Sequence, residues 1–235
     1  MVRADGFVWH YDHGGGHEDH LGPSGHERQL APFLRTFLGS GVFLDVGAHV
    51  GHWTVRLAPQ ARKVIAIEAN PDTAGVLRIN IAMNKLRNVA VHNVAAWDND
   101  TNLALFNFAG VARSGGVRVR EDPAGTIPGC RLDTLLAAEQ AVDLVKLDVE
   151  GADLHALEGM RGLLGKHRPV MLIERHDMYG YYDFRDLEVL IASLGYDITP
   201  AWAQYFVAQP VKLSCGMPGP DSSPGPGPAR ERGWE

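Results

Sequence analysis

The sequence predicts an α/β domain, a mainly parallel sheet covered by helices on both faces. Apolar runs such as GVFLDVG, KVIAIEAN, VDLVKLDVEG and PVMLIERH alternate with segments of helical period. Strands that read as continuous apolar runs are buried on both faces, which is the condition of a parallel sheet between two helix layers. A chain of 235 residues supplies one core of this kind and is short for two. Several of the runs end in an acid or a glycine turn, at the strand ends where open α/β sheets bind ligands.

Taken in order, residues 1–27 are polar and rich in Gly and His, and read as a loop or flexible arm able to fold over a site. RQLAPFLRTFLGS is a helix with Leu30, Phe33, Leu34 and Phe37 on one side, ended by glycine. GVFLDVG is the first buried strand and HWTVRLAP opens the next helix. KVIAIEAN is the second strand. PDTAGVLRINIAMNKL follows as a helix, with Pro71 in its first turn and Asp72 at its positive end. RNVAVHNVAAW is the third strand. LALFNFAG and GGVRVRE alternate with period two around a Gly/Ser break, which reads as a β-hairpin inserted beside the main sheet. A short helix over Arg131 to Ala138 leads to VDLVKLDVEG, the fourth strand. ADLHALEGMRGLLGKH reads as one helix, PVMLIERH as a strand and FRDLEVLIASLGY as a helix. Final strands fall near Tyr196 to Thr199 and Tyr205 to Ala208. The domain therefore spans 28–212, and 213–235, alternating Pro and Gly, reads as a disordered tail.

With 22 basic residues against 28 acidic ones, the net charge of -6 gives no broad footprint for a nucleic-acid backbone. Cys130 and Cys215 are too few for a disulfide scaffold or a thiolate zinc site. The N-terminus lacks the apolar segment of a signal peptide, and no run approaches the roughly 18 residues of a membrane span. The expectation is a cytoplasmic protein with no membrane or nucleic-acid partner. Periodicity does not identify exposed faces, which leaves a homodimer open.

The turn Asp45-Val46-Gly47-Ala48-His49-Val50-Gly51 carries a strand into a helix and brings backbone amides close to a ligand. Gly47, Ala48, His49 and Gly51 are candidate cofactor contacts. A dinucleotide fingerprint would need glycine where His49 stands. Glu68 ends the next strand, 21 positions after Gly47, and a carboxylate there can accept from both hydroxyls of a ribose.

FLDVGAHVGHWTVRLAP, VIAIEANPDTAGVLRINIAMN, CRLDTLLAAEQAVDLVKLDVEG and RPVMLIERH together resemble the FkbM family of class I methyltransferases, over about Leu30 to Ala208. The resemblance implies a Rossmann-like seven-stranded sheet in the order 3-2-1-4-5-7-6 and S-adenosyl-L-methionine as cofactor. On it, Asp45 and Gly47 shape the methionine end of the pocket, Glu68 holds the ribose, Asn70 is a further ribose or adenine contact, and Asn93 to Ala96, with Asn93 and Ala95 foremost, approach the adenine. His49 departs from the pattern, which more often has a small amide there.

A hydroxyl acceptor needs a group that takes its proton. Asp148, Glu174 and His176 lie at strand ends that converge on one sheet edge, and are the candidate catalytic residues. His176 has the reference pKa of about 6.5 suited to a base. Glu150 reads equally as a helix cap, and Lys146 as the partner of a nearby acid. Tyr179, Tyr181, Tyr182, Trp9 and Trp53 are aromatic candidates for a lid or for packing. His10, His13, His17 and His20 have short spacings and Asp148, Glu174 and Asp177 share an edge, but spacing alone assigns no metal. The acceptor implied by the resemblance is a hydroxyl on a sugar or secondary metabolite, with methylation of nitrogen or a carboxylate left open. Two rivals stay open: an NAD-dependent oxidoreductase, and a nonenzymatic ligand-binding protein of the same fold.

Overall fold

The computed structural model describes residues 1–11, 26–107, 116–177, 180–202 and 204–211, with the backbone alone for 26–29. Its centre is a seven-stranded sheet. Four strands are parallel neighbours in the order β5 (Val89–His92), β4 (Lys63–Ile67), β3 (Val42–Val46), β10 (Leu144–Leu147), and β11 (Val170–Glu174) continues them. Beyond β11 come β13 (Tyr205–Pro210) and β12 (Tyr196–Trp202), with β13 antiparallel to both its neighbours. Counted within this sheet alone in chain order, the strands run 3-2-1-4-5-7-6.

Each central strand is apolar on both faces because both are covered. Phe43, Val64, Leu144 and Leu172 pack under α1 (His26–Leu38) and α2 (His52–Leu57), while Ala66 meets Leu77 of α3 (Pro71–Met83). On the other face Leu44, Ile65, Val145 and Met171 pack against Leu132 of α4 (Leu132–Leu135), Leu157 of α5 (Asp153–Gly159), Leu164 of α6 (Arg161–His167) and Leu187 of α7 (Phe184–Ser193).

Three local outcomes differ from the expectations. The arm expected over 1–27 contains an antiparallel hairpin, β1 (Val2–Ala4) with β2 (Phe7–Trp9), because Trp9 finds burial against Val55 and the Arg56 guanidinium, 5.1 Å from its ring. Residues 12–25 of that arm, with His13, His17 and His20, lie outside the described residues, as does 212–235. The inserted hairpin, β7 (Thr101–Asn107) with β8 (Val117–Glu121), is present and belongs to a second sheet, in the order β6-β9-β7-β8 with β6 (Ala95–Ala96) and β9 (Ile127–Cys130). The third expected strand is thereby shared between two sheets, since Asn93 and Val94 turn the chain from one to the other. The single helix expected over 152–167 is two, α5 and α6, divided at Met160.

Candidate active site

The C-terminal ends of β3, β4, β10 and β11 open into one cavity, roofed by Leu105, Val117 and Val119 of the inserted hairpin. The turn after β3 forms its floor. Gly47 has φ +77°, and a Cβ there would lie 1.7 Å from the Asp148 carbonyl, so only glycine fits. Gly51, at φ +97°, lets α2 start in a left-handed conformation. His49 also has positive φ, +52°, where Asn is among the side chains best tolerated after glycine, which gives the usual small amide its physical reason.

Glu68 follows β4 and is nearly buried. Its two carboxylate oxygens accept from the backbone N–H of His49 at 2.7 Å and of Asn70 at 2.9 Å, which fixes the carboxylate at the cavity wall with lone pairs left over. Burial pushes its carboxyl up to about 7, against those two hydrogen bonds. Asn70 lines the cavity and caps α3, its Oδ1 accepting from the Asp72 N–H at 3.0 Å. Ala48, His49, Ala69, Val94, Ala95 and Ala96 complete this apolar end.

Asp45 and Asn93 sit behind the wall. Asp45 is fully buried, accepts from the Thr54 hydroxyl at 2.6 Å and lies opposite Lys146 in the β3–β10 register, so both side chains leave the same face. The Asn93 amide donates to the Glu68 and Ala69 carbonyls, 2.8 and 3.0 Å away, and so holds the loop that carries Glu68. Neither lines the cavity: Asp45 is covered by Thr54 and Lys146, and the Asn93 amide is taken up by the two carbonyls.

Lys146 carries more of the site than its sequence context indicates. Its ammonium donates to the Gly47 carbonyl at 2.7 Å, pairs with Asp148 at 2.9 Å and lies 3.8 Å from Asp45. Burial disfavours its charge, but the carboxylates of Asp148 and Asp45 outweigh that and hold the ammonium above its usual range. The i, i+2 spacing of Lys146 and Asp148 in KLD was the signal that places both on one strand face.

At the acceptor end, Asp148 and Glu174 line the cavity and His176 does not. The His176 ring is buried between Asp148, 3.4 Å from Nε2, and Asp153, 3.4 Å from Nδ1. Burial lowers its pKa, yet those two carboxylates push it up to about 11, which favours the imidazolium over the neutral ring a base needs. Burial opposes ionisation of Asp148 too, but Lys146 and His176 hold its carboxyl well below the usual range. Glu174 faces the opposite condition. Burial, then Asp148, push its carboxyl up to about 7, and Gln204 Nε2 donates to its Oε1 at 2.9 Å. Glu150, with a carboxyl also raised by burial, lines the cavity and accepts from the Gly116 N–H at 3.1 Å.

Ligand atoms of Asp148, Glu174 and His176 fall within 4.8 Å of one another. Asp177 is turned away into a two-point ion pair with Arg175. Trp53 lines the cavity, Tyr181 lies under the Arg118 guanidinium, and the Tyr182 hydroxyl accepts from the His176 N–H. Tyr179 is outside the described residues. Gln204, Tyr205 and the hairpin residues of the roof were not singled out in the sequence, since nothing local marks them.

The methyltransferase FkbM domain matches residues 45–198. The chain belongs to that family. It shares its fold with the methyltransferase FkbM of Methylobacillus flagellatus KT, at 22% identity and a TM-score of 0.52, covering 72% of this chain and 44% of that one. The chain thus spans less than half of that protein. It is similar as well to the precorrin 8w decarboxylase of Methanobacterium thermoautotrophicum, at 16% identity and 0.53, covering 90% of this chain and 100% of the other. A third structure, a precorrin-6y C5,15-methyltransferase of Geobacter metallireducens GS-15, is 13% identical with a TM-score of 0.50, covering 78% and 88%. No match was found among curated proteins. Among the described residues no helix is long and apolar enough to cross a membrane.

Proposed function

We propose that this methyltransferase uses S-adenosyl-L-methionine and methylates a hydroxyl of a sugar or other small molecule. The observation that carries the reading is Glu68, whose carboxylate is fixed by the His49 and Asn70 amides at the apolar end of a cavity that ends in Glu174. The residues fit an adenosyl group. Gly47 leaves the turn without a side chain, Glu68 keeps free lone pairs for vicinal hydroxyls, and Ala69, Val94 and Ala95 offer apolar walls to a flat base. When bound, the cofactor supplies an electrophilic methyl group on a sulfonium.

Glu174 is the group suited to receive the acceptor proton. Its carboxyl at about 7 is partly ionised at neutral pH, where a base is both available and basic enough to act. Gln204 orients that carboxylate. Asp148, already paired with Lys146 and His176, is a poor proton acceptor and serves as the anchor of the site. Three acids beside the acceptor end, Asp148, Glu150 and Glu174, favour a neutral hydroxyl compound over an anionic one.

Calorimetric titration of ligand-stripped protein with S-adenosylmethionine and S-adenosylhomocysteine, with NADH for comparison, tests this. The expected result is saturable binding of the adenosyl ligands, no comparable NADH heat, and binding weakened at least about tenfold in Glu68→Ala. Well-folded protein that binds neither adenosyl ligand overturns the reading, and NADH binding in its place points to an oxidoreductase.

A further inference from the structure

The N-terminal hairpin is held to α3 by two side chains placed one helical turn apart. Asn84 Oδ1 accepts from the Val8 N–H at 2.9 Å, and its Nδ2 donates to the Val8 carbonyl at 2.7 Å. Asn80 does the same for His10, accepting from its N–H at 2.7 Å and donating to its carbonyl at 3.3 Å. Each amide thus imitates the donor and acceptor of a neighbouring strand. The match is geometric: four residues of helix advance about 6.0 Å, and two residues of extended chain about 6.6 Å.

Asn80 also reaches the other way. Its side chain is fully buried, and its Nδ2 donates to the carbonyl of Val50 at 2.9 Å, inside the turn between His49 and Gly51. One amide therefore joins the backbone of the N-terminal strand to the backbone of the cavity floor. A second link runs parallel to it, since the Tyr11 hydroxyl lies 3.3 Å from Nε2 of His52, which lines the cavity.

We infer that the hairpin is a working part of the cofactor site: Asn80 is a positioning residue for the Gly47–Gly51 turn, and hairpin docking and adenosyl-ligand binding strengthen each other. The inference rests on the cofactor reading above. A turn held in place by a docked hairpin has less freedom to lose on binding, and by reciprocity a bound ligand must hold the hairpin more tightly. Asn84 separates this from simple support of the site, because its side chain bonds Val8 and the Asn80 carbonyl and touches neither the turn nor the cavity.

The experiment pairs calorimetry with hydrogen exchange on the full chain, using S-adenosylhomocysteine as probe. In the wild type, saturating ligand is expected to slow exchange of the Val8 and His10 amides at least about fivefold, the low end of ordinary coupling between sites. Asn84→Ala is expected to raise the ligand Kd by a similar factor while its far-ultraviolet circular dichroism stays native. Saturable binding with unchanged exchange at Val8 and His10, and a Kd in Asn84→Ala within twofold of wild type, overturns the inference and leaves the hairpin as packing. Absence of saturable binding in the wild type is a different failure, visible in the calorimeter alone, and overturns the cofactor reading and this inference with it.

Discussion

Glu174 and Asp148 stand at neighbouring strand ends, yet their carboxyls are driven in opposite directions. Asp148 is held ionised by Lys146 and His176, whereas burial and the Asp148 charge push Glu174 up to about 7. If Glu174 accepts the acceptor proton, kcat/KM rises as pH passes through about 7 and then levels, because only the ionised form works. Glu174→Gln keeps the shape and removes the titration. The variant is expected to lose about 10²- to 10⁴-fold in turnover together with that rising limb, measured as a pH profile with an acceptor found by screening. A variant that keeps the limb would assign it to another group. The same pair shows what the sequence can and cannot say about a site. Acids at strand ends were legible because GVFLDVG, KVIAIEAN and PVMLIERH each end at the sheet edge. The direction of each side chain was not, and it decides the outcome: Glu68 and Glu174 face the cavity, while Asp45, one position inside β3, points to Thr54 and Lys146. The burial of His176 was not legible for a related reason. Its partner Asp153 lies on α5, and no spacing in the sequence brings the two together.

Elements were legible in proportion to how much of their pattern is local. Four of the five parallel strands, β3, β4, β10 and β11, are buried on both faces and read as mainly apolar runs. β9 reads Ile-Pro-Gly-Cys and is held by pairing with β6 and β7 and by the buried Ile127, so no periodicity announces it. The division of α5 from α6 has the same origin. The helix formers Ala156, Leu157, Glu158 and Met160 surround Gly159, but a Cβ there would lie 1.9 Å from the Trp97 carbonyl, a contact from a distant segment. Gly159→Ala sets two effects against each other. Helix propensity favours alanine by about 1 kcal/mol, while forcing the backbone at Trp97, just after β6, away costs about 1 to 3 kcal/mol. The clash is with backbone, which cannot swing aside, so packing is expected to win. Urea unfolding should show a net loss of stability, and a gain would mean that α5 shifts freely against Trp97.

For the molecule as a whole, the charged cluster under the cavity is also a clamp between layers. His176, at the exit of β11, lies 3.4 Å from Asp148 at the end of β10 and 3.4 Å from Asp153 at the start of α5, and its side chain is 3% exposed. Unfolding separates all three at once. The imidazole has a folded pKa of about 11 against an ordinary value of 6.5, and this fixes the sign of its linkage. A raised histidine stabilises fully below its unfolded pKa and loses that stabilisation as pH rises through the folded one. Global stability should therefore decline from pH 7.5 to 8.5, with this one proton contributing a slope of about 1.4 kcal/mol per pH unit. Glu68 and Glu174, near 7, are mostly ionised at pH 7.5 and add a smaller decline of the same sign that both proteins share, and Tyr182 and Tyr196, both pushed above the usual tyrosine range, have not begun. His176→Gln removes the titrating group and leaves Asp153 buried without its cation, which costs about 3 to 5 kcal/mol for a broken buried pair. Urea unfolding of both proteins at pH 7.5, 8.0 and 8.5 reads the two effects separately. The variant should be less stable at every pH and should lose about one proton's worth of slope; equal slopes would show that the imidazolium is not what joins the layers.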